Sequence, residues 1–461
     1  MSAPLRIRTL PYIADGPAAM RALGGEAWSA WLDSGHGGCA GARYDILVAR
    51  PTVTLVAAGG QTTIRRGGRV ERRGGDPLAH LAAELDALGP LPVDGRWPFT
   101  GGAVGYFGYD LGRRLMGVGE PDPGMPEMAV GIYEQAVITD HHHGCSMAVG
   151  RRLDEDWLAD MARRREAGGS VQPWSTAGAL RREPEADGYA AAFRRVQAYL
   201  HAGDCYQVNL ARRFSVPYRG DPRAAYLALR AASSAPFAAW LRFPGGDVLS
   251  LSPERFLHLD GDGGVTTEPI KGTRPRAADP AEDAAARRDL LGSAKDRAEN
   301  VMIVDLLRND LGKGCAVGSV RVPSLCRAER FASVHHLVST VTGRLAPGRC
   351  ATDLLRDCLP GGSITGAPKR RAMEIIAELE PGPRGVYCGA IGYLGLDGRM
   401  DTSIAIRTAT CRGGTMTYWA GGGVVADSTA EAELQETEDK AAGFLSLAEG
   451  GGPAAAVSRR R

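Results

Sequence analysis

The chain lacks the features that mark membrane, disulfide-stapled or nucleic-acid-binding proteins. No apolar run approaches the ~20 residues of a membrane span, and the stretch from Met1 to Tyr12 has no sustained apolar core of the kind a signal peptide carries. Neither sign of charge is in excess: 55 Lys+Arg against 53 Asp+Glu leave +2, so bulk charge recruits neither nucleic acid nor a membrane surface. The nine cysteines are odd in number and scattered from Cys39 to Cys411, with no Cys-x-x-Cys pair. Reduced thiols in the cytoplasm fit that pattern better than disulfides or a zinc site. What is present is a globular balance, 44% hydrophobic and 23% charged over 461 residues, enough for two or three average domains or one unusually large one.

Residues 1–150 read as short strands and turns. β-type runs at 44–49 and 52–57 flank Arg50-Pro51, and Leu78, Leu81, Leu85 and Leu88 form a helical stripe over 77–88. The glycine-rich run 99–110 predicts close packing in a sheet, or a bulge beside a ligand, and not a phosphate loop, because no Gly-Lys-Ser/Thr follows. Residues 128–138 form another strand candidate. His141, His142 and His143 read as a polar turn, since three adjacent histidines cannot all face one ion. Residues 151–186 predict a charged helix followed by a Gly/Ser/Pro-punctuated linker, and 448–461 a flexible tail.

The chemistry-bearing residues fall within 187–447. A helix over 189–202 leads into a strand, with further strands at 238–243, 248–252 and 256–259, and Glu254 lies on the turn between the last two. Pro269 and Gly272 bracket Lys271 where a regular helix is excluded. A lysine on a rigid bend is either a solvated turn residue or, if burial beside cations lowers its pKa, a nucleophile. On a long helix over 283–311, Asp296 and Glu299 share a face; they either lie in solvent beside Lys295 and Arg297 or hold a hard cation such as Mg²⁺. After a strand at 415–419 the pattern recurs: Gly421, Gly422 and Gly423 offer backbone N–H groups, and a helix starting near Ser428 carries Glu433, Glu436 and, one turn on, Lys440. Ser428 and Glu431 look like a capping box. Together these suggest a Mg²⁺–carboxylate site in which amides and lysine hold anionic oxygens. Arg407, on a strand over 401–408, shares a face with Ser403 and Ala405 and points into that site or into solvent. The run 360–369 is not a phosphate loop, because Pro368 interrupts the Gly-Lys.

Several long segments, in order, resemble the chorismate-utilising enzymes from about residue 30 to 445. They are Gly203-Asp204-Cys205-Tyr206-Gln207-Val208-Asn209-Leu210, Ser252-Pro253-Glu254, Pro269-Ile270-Lys271-Gly272-Thr273-Arg274, Ala298-Glu299-Asn300 through Asn309-Asp310, His336-Leu337-Val338-Ser339, the run from Pro360 to Lys369, Asp401-Thr402-Ser403-Ile404, and Gly421 through Thr437. Arg43 to Leu47 and Gly105 to Arg114 look like the para-aminobenzoate branch of the family, and anthranilate-forming relatives typically carry Ala where this chain has Lys271.

The resemblance implies one large α/β (α+β) domain, a four-layer α/β/β/α sandwich with two β-sheets face to face and helices outside. In that case 1–150 belongs to the same sandwich, 151–186 is a surface excursion, and 187–447 is the chorismate-binding region. It implies Mg²⁺ on Glu299 and Glu436, supported by Asp296 and Glu433, and substrate contacts from Ser363, His336, Tyr387, Arg407, Gly421, Gly422, Gly423, Lys440 and Thr273. Glu254 would be the general acid and Lys271 the covalent nucleophile. The implied reaction takes chorismate and ammonia to 4-amino-4-deoxychorismate, with anthranilate formation as the alternative. No glutaminase nucleophile motif appears, so ammonia is expected from a separate glutamine amidotransferase subunit in a heterodimer. Ser34, Gly41, Ala42, Arg43, Tyr44, Pro236, Phe237 and Ala238 fall where some relatives hold L-tryptophan, although residues 35–40 depart from the pattern.

Overall fold

The strand Tyr44–Val48 shows how the chain is layered. Ile46 and Val48 join a buried cluster with Val104, Tyr106 and Ala129, whereas Leu47 between them joins Met20, Trp157 and Tyr226 from helices. Successive strand side chains point to opposite faces, so both faces of this strand are dry. The computed structural model describes residues 4–37, 39, 42–119, 124–168, 171–233, 235–331 and 334–450. Gly41 and residues 451–461 of the expected tail lie outside them.

Among the described residues two antiparallel sheets lie face to face. The first, of 13 strands, runs from Arg6–Leu10 through Cys145–Gly150, Gln135–Asp140, Tyr44–Val48, Ser29–Asp33, Phe237–Phe243, Gly246–Ser252, Thr408–Arg412 and Thr415–Val424 to Gln207–Arg219. The second, of 12, runs from Ile270–Pro275 through Val334–Arg344, Gly264–Thr267, Arg255–Leu259, Met400–Ile404, Ala390–Gly395, Gly102–Phe107, Met128–Tyr133 and Val53–Ala58 to the hairpin Gln61–Arg66 and Arg69–Gly74. Helices Gly16–Leu23, Glu155–Glu166, Pro222–Ala232 and Ala430–Ala448 cover the first sheet. Helices Pro77–Leu88, Ala294–Gly314 and Ala351–Cys358 cover the second, while Lys369–Leu379 packs on Gln207–Arg219 of the first. The result is the four-layer α/β/β/α sandwich in a single domain. No helix among the described residues is long and apolar enough to cross a membrane.

Four local expectations change. The strand expected over 128–138 is two, Met128–Tyr133 and Gln135–Asp140, in different sheets. The strand over 401–408 likewise divides into Met400–Ile404 and Thr408–Arg412. Periodicity is blind to such crossings, because a strand buried on both faces reads apolar on either side of the break. The long helix breaks at Ser293, which ends Pro280–Gly292 and caps Ala294–Gly314 by accepting the Asp296 N–H at 3.2 Å. The linker-like stretch contains the short strands Ser175–Thr176 and Arg181–Glu183, which pair with Gln207–Arg219.

Two crossings run side by side. Gly246–Ser252 pairs with Thr408–Arg412 in the first sheet, and their continuations Arg255–Leu259 and Met400–Ile404 pair in the second. Leu251 N donates to Arg407 O at 3.0 Å and Ile404 N to Glu254 O at 3.1 Å, while Ser252 Oγ donates to Ile404 O at 2.6 Å. Arg407 turns this corner at φ 54°, a left-handed conformation that costs a non-glycine residue about 1 kcal/mol or more. Glu254 and Arg407 therefore leave the ladders together, at the seam between the sheets.

Candidate active site

At that seam Glu254 is 5% exposed and its Oε1 accepts a 2.8 Å hydrogen bond from Ser363 Oγ. Burial pushes its carboxyl up to about 7, against the opposing pull of Lys271, Ser363, the Ile270 amide and Lys440. A carboxyl so poised can donate a proton near neutral pH.

Lys271 does not sit on a free bend. It lies in the strand Ile270–Pro275 at the edge of the second sheet, opposite Leu337, and the register slips between Lys271 and Thr273. Gly272 takes the bulge at φ 71°, where a Cβ would meet Leu290 Cδ1 at 2.9 Å and Asp296 Cγ at 3.0 Å. The bulge aims Lys271 at the seam. Its Nζ donates to Ser363 O at 3.2 Å and pairs with Glu299 at 2.9 Å. Acids, not the cations expected from sequence, surround it: burial pulls its pKa down, but Glu299, then Glu254 and Glu436, pull it up further and the net shift is upward. As the site stands, Lys271 is an ammonium. Ser363 thus touches both Glu254 and Lys271, through its hydroxyl to the carboxyl and its carbonyl to the amine.

The triple glycine is part of one continuous strand, Thr415–Val424, and not a loop. A Cβ on Gly423 would lie 1.8 Å from Gln207 Nε2 and 3.0 Å from Glu299 Oε1; one on Gly422 would lie 2.6 Å from Glu433 Oε2 and 3.2 Å from Glu436 Oε1. Bare backbone is what lets three carboxylates close in. Gln207 Nε2 donates to Glu299 Oε1 at 2.9 Å, and Lys440 Nζ pairs with Glu436 at 2.5 Å and donates to Gly421 O at 2.8 Å. Glu433 accepts from Ser428 Oγ at 2.7 Å on Oε1, leaving Oε2 buried without a partner. Burial raises its pKa, Ser428 opposing and Glu436 adding to the rise. Ser428 therefore serves Glu433, and the helix cap falls to Thr429, whose side chain accepts from Ala432 N. Asp296 stands apart from this group, held by Arg274 at 3.2 Å.

Among the described residues no three His, Cys, Asp or Glu side chains form a closed metal cage. The reason is visible: the ammonium groups of Lys271 and Lys440 already lie against Glu299 and Glu436. Mg²⁺ rarely uses an all-protein cage; it takes one or two carboxylates, waters and a ligand's oxygens. Glu299, Glu436 and the orphaned oxygen of Glu433 fit such an ion.

The remaining predicted residues divide. Arg407 donates from NH1 to Lys440 O, the same carbonyl that accepts Tyr418 OH at 2.9 Å. His336 Nδ1 lies 3.0 Å from Thr273 Oγ1 and 3.4 Å from Gly272 O. Burial lowers the His336 pKa, the Gly272 carbonyl opposing and Arg407 adding to the fall, which keeps the ring neutral. Tyr387 is buried and stacks on Trp419 at 6.2 Å. The N-terminal set gathers at adjoining strand ends: Ser34 donates from N and Oγ to Asp45 at 2.9 and 2.8 Å, Arg43 pairs with Asp140 at 2.9 Å beside Ala42 and Tyr44, and Ala238 pairs with Asp33. Phe237, next to Pro236, packs under the Arg255 guanidinium at 5.0 Å.

Sequence reasoning assigned no role to Gln207, Lys369 or Arg384. A signal for the first existed: Gln207 and Asn209 put two polar side chains on one face at the start of the strand Gln207–Arg219.

The family model of chorismate binding enzymes matches residues 31–446. The chain is 50% identical over 424 residues, 91% of its length and 93% of the relative's, to aminodeoxychorismate synthase component 1 of Klebsiella aerogenes. It is 49% identical over 421 residues, 90% and 91% of the two chains, to the protein of the same name from Escherichia coli (strain K12). Among solved structures, anthranilate synthase component I from Streptococcus pneumoniae TIGR4 superposes with a TM-score of 0.76 at 32% identity, covering 87% of this chain and 92% of that one.

Proposed function

The chain belongs to the chorismate-binding enzyme family, and from that premise we propose that it aminates chorismate at C4 to give 4-amino-4-deoxychorismate. The observation that carries this reading is the Ser363 bridge, which sets a carboxyl with a pKa pushed up to about 7 and a lysine amine on the two sides of one residue. Both relatives named aminodeoxychorismate synthase component 1 support it.

Hydroxide leaves C4 poorly, so Glu254 gives its proton to the departing oxygen, and water is released. Lys271, its ammonium proton lost to solvent, attacks C2 through the neutral amine as the C4–O bond breaks, and the two conjugated ring double bonds linking C2 to C4 shift. Ammonia then forms the C4–N bond, both double bonds shift back, the C2–N bond to Lys271 breaks to free the neutral amine, and the new C4 ammonium returns a proton to the Glu254 carboxylate. Covalent catalysis of this kind replaces one hard displacement by two easier ones. The sum is chorismate plus ammonia giving aminodeoxychorismate plus water. Glu299 and Glu436, with Glu433, would hold Mg²⁺, which supplies positive charge for a substrate carboxylate and lessens the hold of Glu299 on the Lys271 proton. Arg407, Lys440 and the Gly421–Gly423 amides would bind the anionic groups of the substrate, beside His336 and Thr273.

Ammonia is supplied by a separate glutamine amidotransferase, as "component 1" in the relatives' names suggests. Nine free thiols suit a cytoplasmic setting. The purified chain given chorismate, Mg²⁺ and ammonium, followed by a lyase that aromatises the product, releases 4-aminobenzoate. Direct appearance of 2-aminobenzoate would replace this reading with anthranilate synthesis, and turnover without any nitrogen donor would replace it with isochorismate chemistry.

A further inference from the structure

A buried ion pair outside the chemistry above grips the loop that carries Ser363. Lys369 has 6% of its side chain exposed, and its Nζ pairs with Asp310 at 2.5 Å and donates to Cys358 O at 3.0 Å and Pro360 O at 2.8 Å. Its three N–H donors have three acceptors. At the far end of the same loop Arg384, with 1% of its side chain exposed, donates to Ile364 O at 3.0 Å and Asn209 O at 2.7 Å while paired with Glu380 at 2.6 Å. Between the two cations lies the single turn Gly362–Ile364, packed so closely that a Cβ on Gly362 would come 2.6 Å from Leu306.

We propose that Lys369 and Arg384 are positioning residues, a two-cation clamp on the carbonyls of the 358–364 loop that fixes Ser363 between Glu254 and Lys271. This rests on the roles given to those two groups above. Each clamped carbonyl fixes a peptide plane, and hydrogen bonds from a charged donor are roughly twice as strong as neutral ones. The Ser363 hydroxyl hangs from a single rotatable bond, so its backbone decides where it points. A buried ion pair is weak support for stability, since apolar residues of similar volume often do as well. What such residues cannot do is orient carbonyls.

Glu254 faces Ser363, Lys271, the Ile270 amide, Lys440 and the Cys388 thiol. The Ser363 hydroxyl donates to it and so favours the carboxylate; losing that bond raises the Glu254 midpoint. The combined variant Lys369→Met/Asp310→Asn removes the first cation without stranding a buried charge, and Lys313, the other partner of Asp310 at 3.1 Å, is solvent-accessible. The midpoint is read on the full-length, substrate-free protein by carbon NMR of labelled glutamate carboxyls, with Ser363→Ala as reference and Glu254→Gln to identify the signal. Both Ser363→Ala and Lys369→Met/Asp310→Asn raise it by about half a pH unit or more, and joining them adds no further shift. In the clamp variant kcat falls about tenfold or more with a smaller change in KM for chorismate. Should that variant not fold, the comparison passes to Arg384→Lys, which keeps the charge opposite Glu380 but loses the fork to Ile364 O.

A folded clamp variant with the wild-type midpoint, while Ser363→Ala shifts it, overturns the proposal. Product identity does not enter the titration. An enzyme that made 2-aminobenzoate would sink the proposed function and leave the clamp standing.

Discussion

Two buried polar clusters contribute to the first sheet, and they differ in what they leave open. In the N-terminal cluster Asp33 accepts from Tyr226 OH at 2.8 Å, Arg230 Nε at 2.5 Å and Gly35 N at 2.8 Å. Asp45 accepts twice from Ser34 and has His141 Nε2 at 3.2 Å; His141 in turn stacks on His36 at 3.9 Å and meets Tyr12 OH at 2.9 Å. Each carboxylate there is ringed by the protein's own donors. One ring nitrogen there, His141 Nε2, makes no hydrogen bond, but around the glycine strand more stays open: Gln207 Oε1, Asn209 Nδ2 and Glu433 Oε2 are all buried without a partner. Unsatisfied buried polar groups are costly, and native proteins keep few of them without a reason. The closed cluster holds strands and helices together. The open one leaves buried donors and acceptors available to a ligand, as the proposed function requires.

The largest effect comes from the open side. Lys271→Ala removes the nucleophile and lowers the rate of chorismate consumption roughly 10³-fold, about 4 kcal/mol in the barrier. A variant that kept the wild-type rate would take the covalent step away from Lys271. On the closed side, Arg230→Met leaves Asp33 buried without its cation. Removing one partner of a buried pair costs about 3–5 kcal/mol, and the low end, about 3, applies because 17% of the Arg230 side chain is still exposed. Urea unfolding measures that loss, while kcat of the folded fraction stays within about twofold, as expected for independent sites. Undiminished stability with a reduced kcat would reverse the comparison and make the N-terminal cluster the functional one.

The same contrast explains what was legible in the sequence. The helix Pro77–Leu88 and several strands followed from periodicity, because each element meets the core with a regular face, whereas the layering was expected from the family resemblance. The crossings at Glu254 and Arg407 were hidden, since strands dry on both faces carry no mark of which sheet they join. Lys271 was located by its flanking Pro269 and Gly272, but its surroundings were misjudged: which charges gather round it depends on Glu299 and Glu436, brought in from two distant helices. Lys369 shows the reverse failure. Ruling out a phosphate loop was sound from Pro368, yet the lysine's use, capping carbonyls nine and eleven residues upstream, depends on a loop path that local pattern does not encode.

Glu254 gives the smallest effect, and it divides the two clusters most sharply. Glu254→Gln removes the general acid and lowers kcat about 10²-fold. In the wild type the acid must be protonated to act, so kcat/KM falls as pH rises through the free-protein Glu254 midpoint of about 7; the glutamine variant loses that limb. The stability effect runs the other way. The folded-state pKa, about 7, lies above the ordinary 4.5, so the native state binds this proton more tightly than the unfolded chain does. Stability therefore declines as pH rises from about 4.5 to about 7, and the full cost is present above that. Glutamine carries no such charge, so at pH ~8 the variant unfolds at higher denaturant than the wild type, by about 3 kcal/mol, and at pH ~5 the two differ by under about 1 kcal/mol. Identical denaturation midpoints at both pH values would place the Glu254 carboxyl in the ordinary range and end its candidacy as the acid. Asp45 in the closed cluster runs the other way: against the pull of burial, His141 and Ser34 hold its carboxyl below the ordinary range, so neutralising it forfeits bonds already made. The response marks a carboxyl, like that of Glu254, whose burial outweighs the bonds it makes, so that disarming it makes the empty protein firmer.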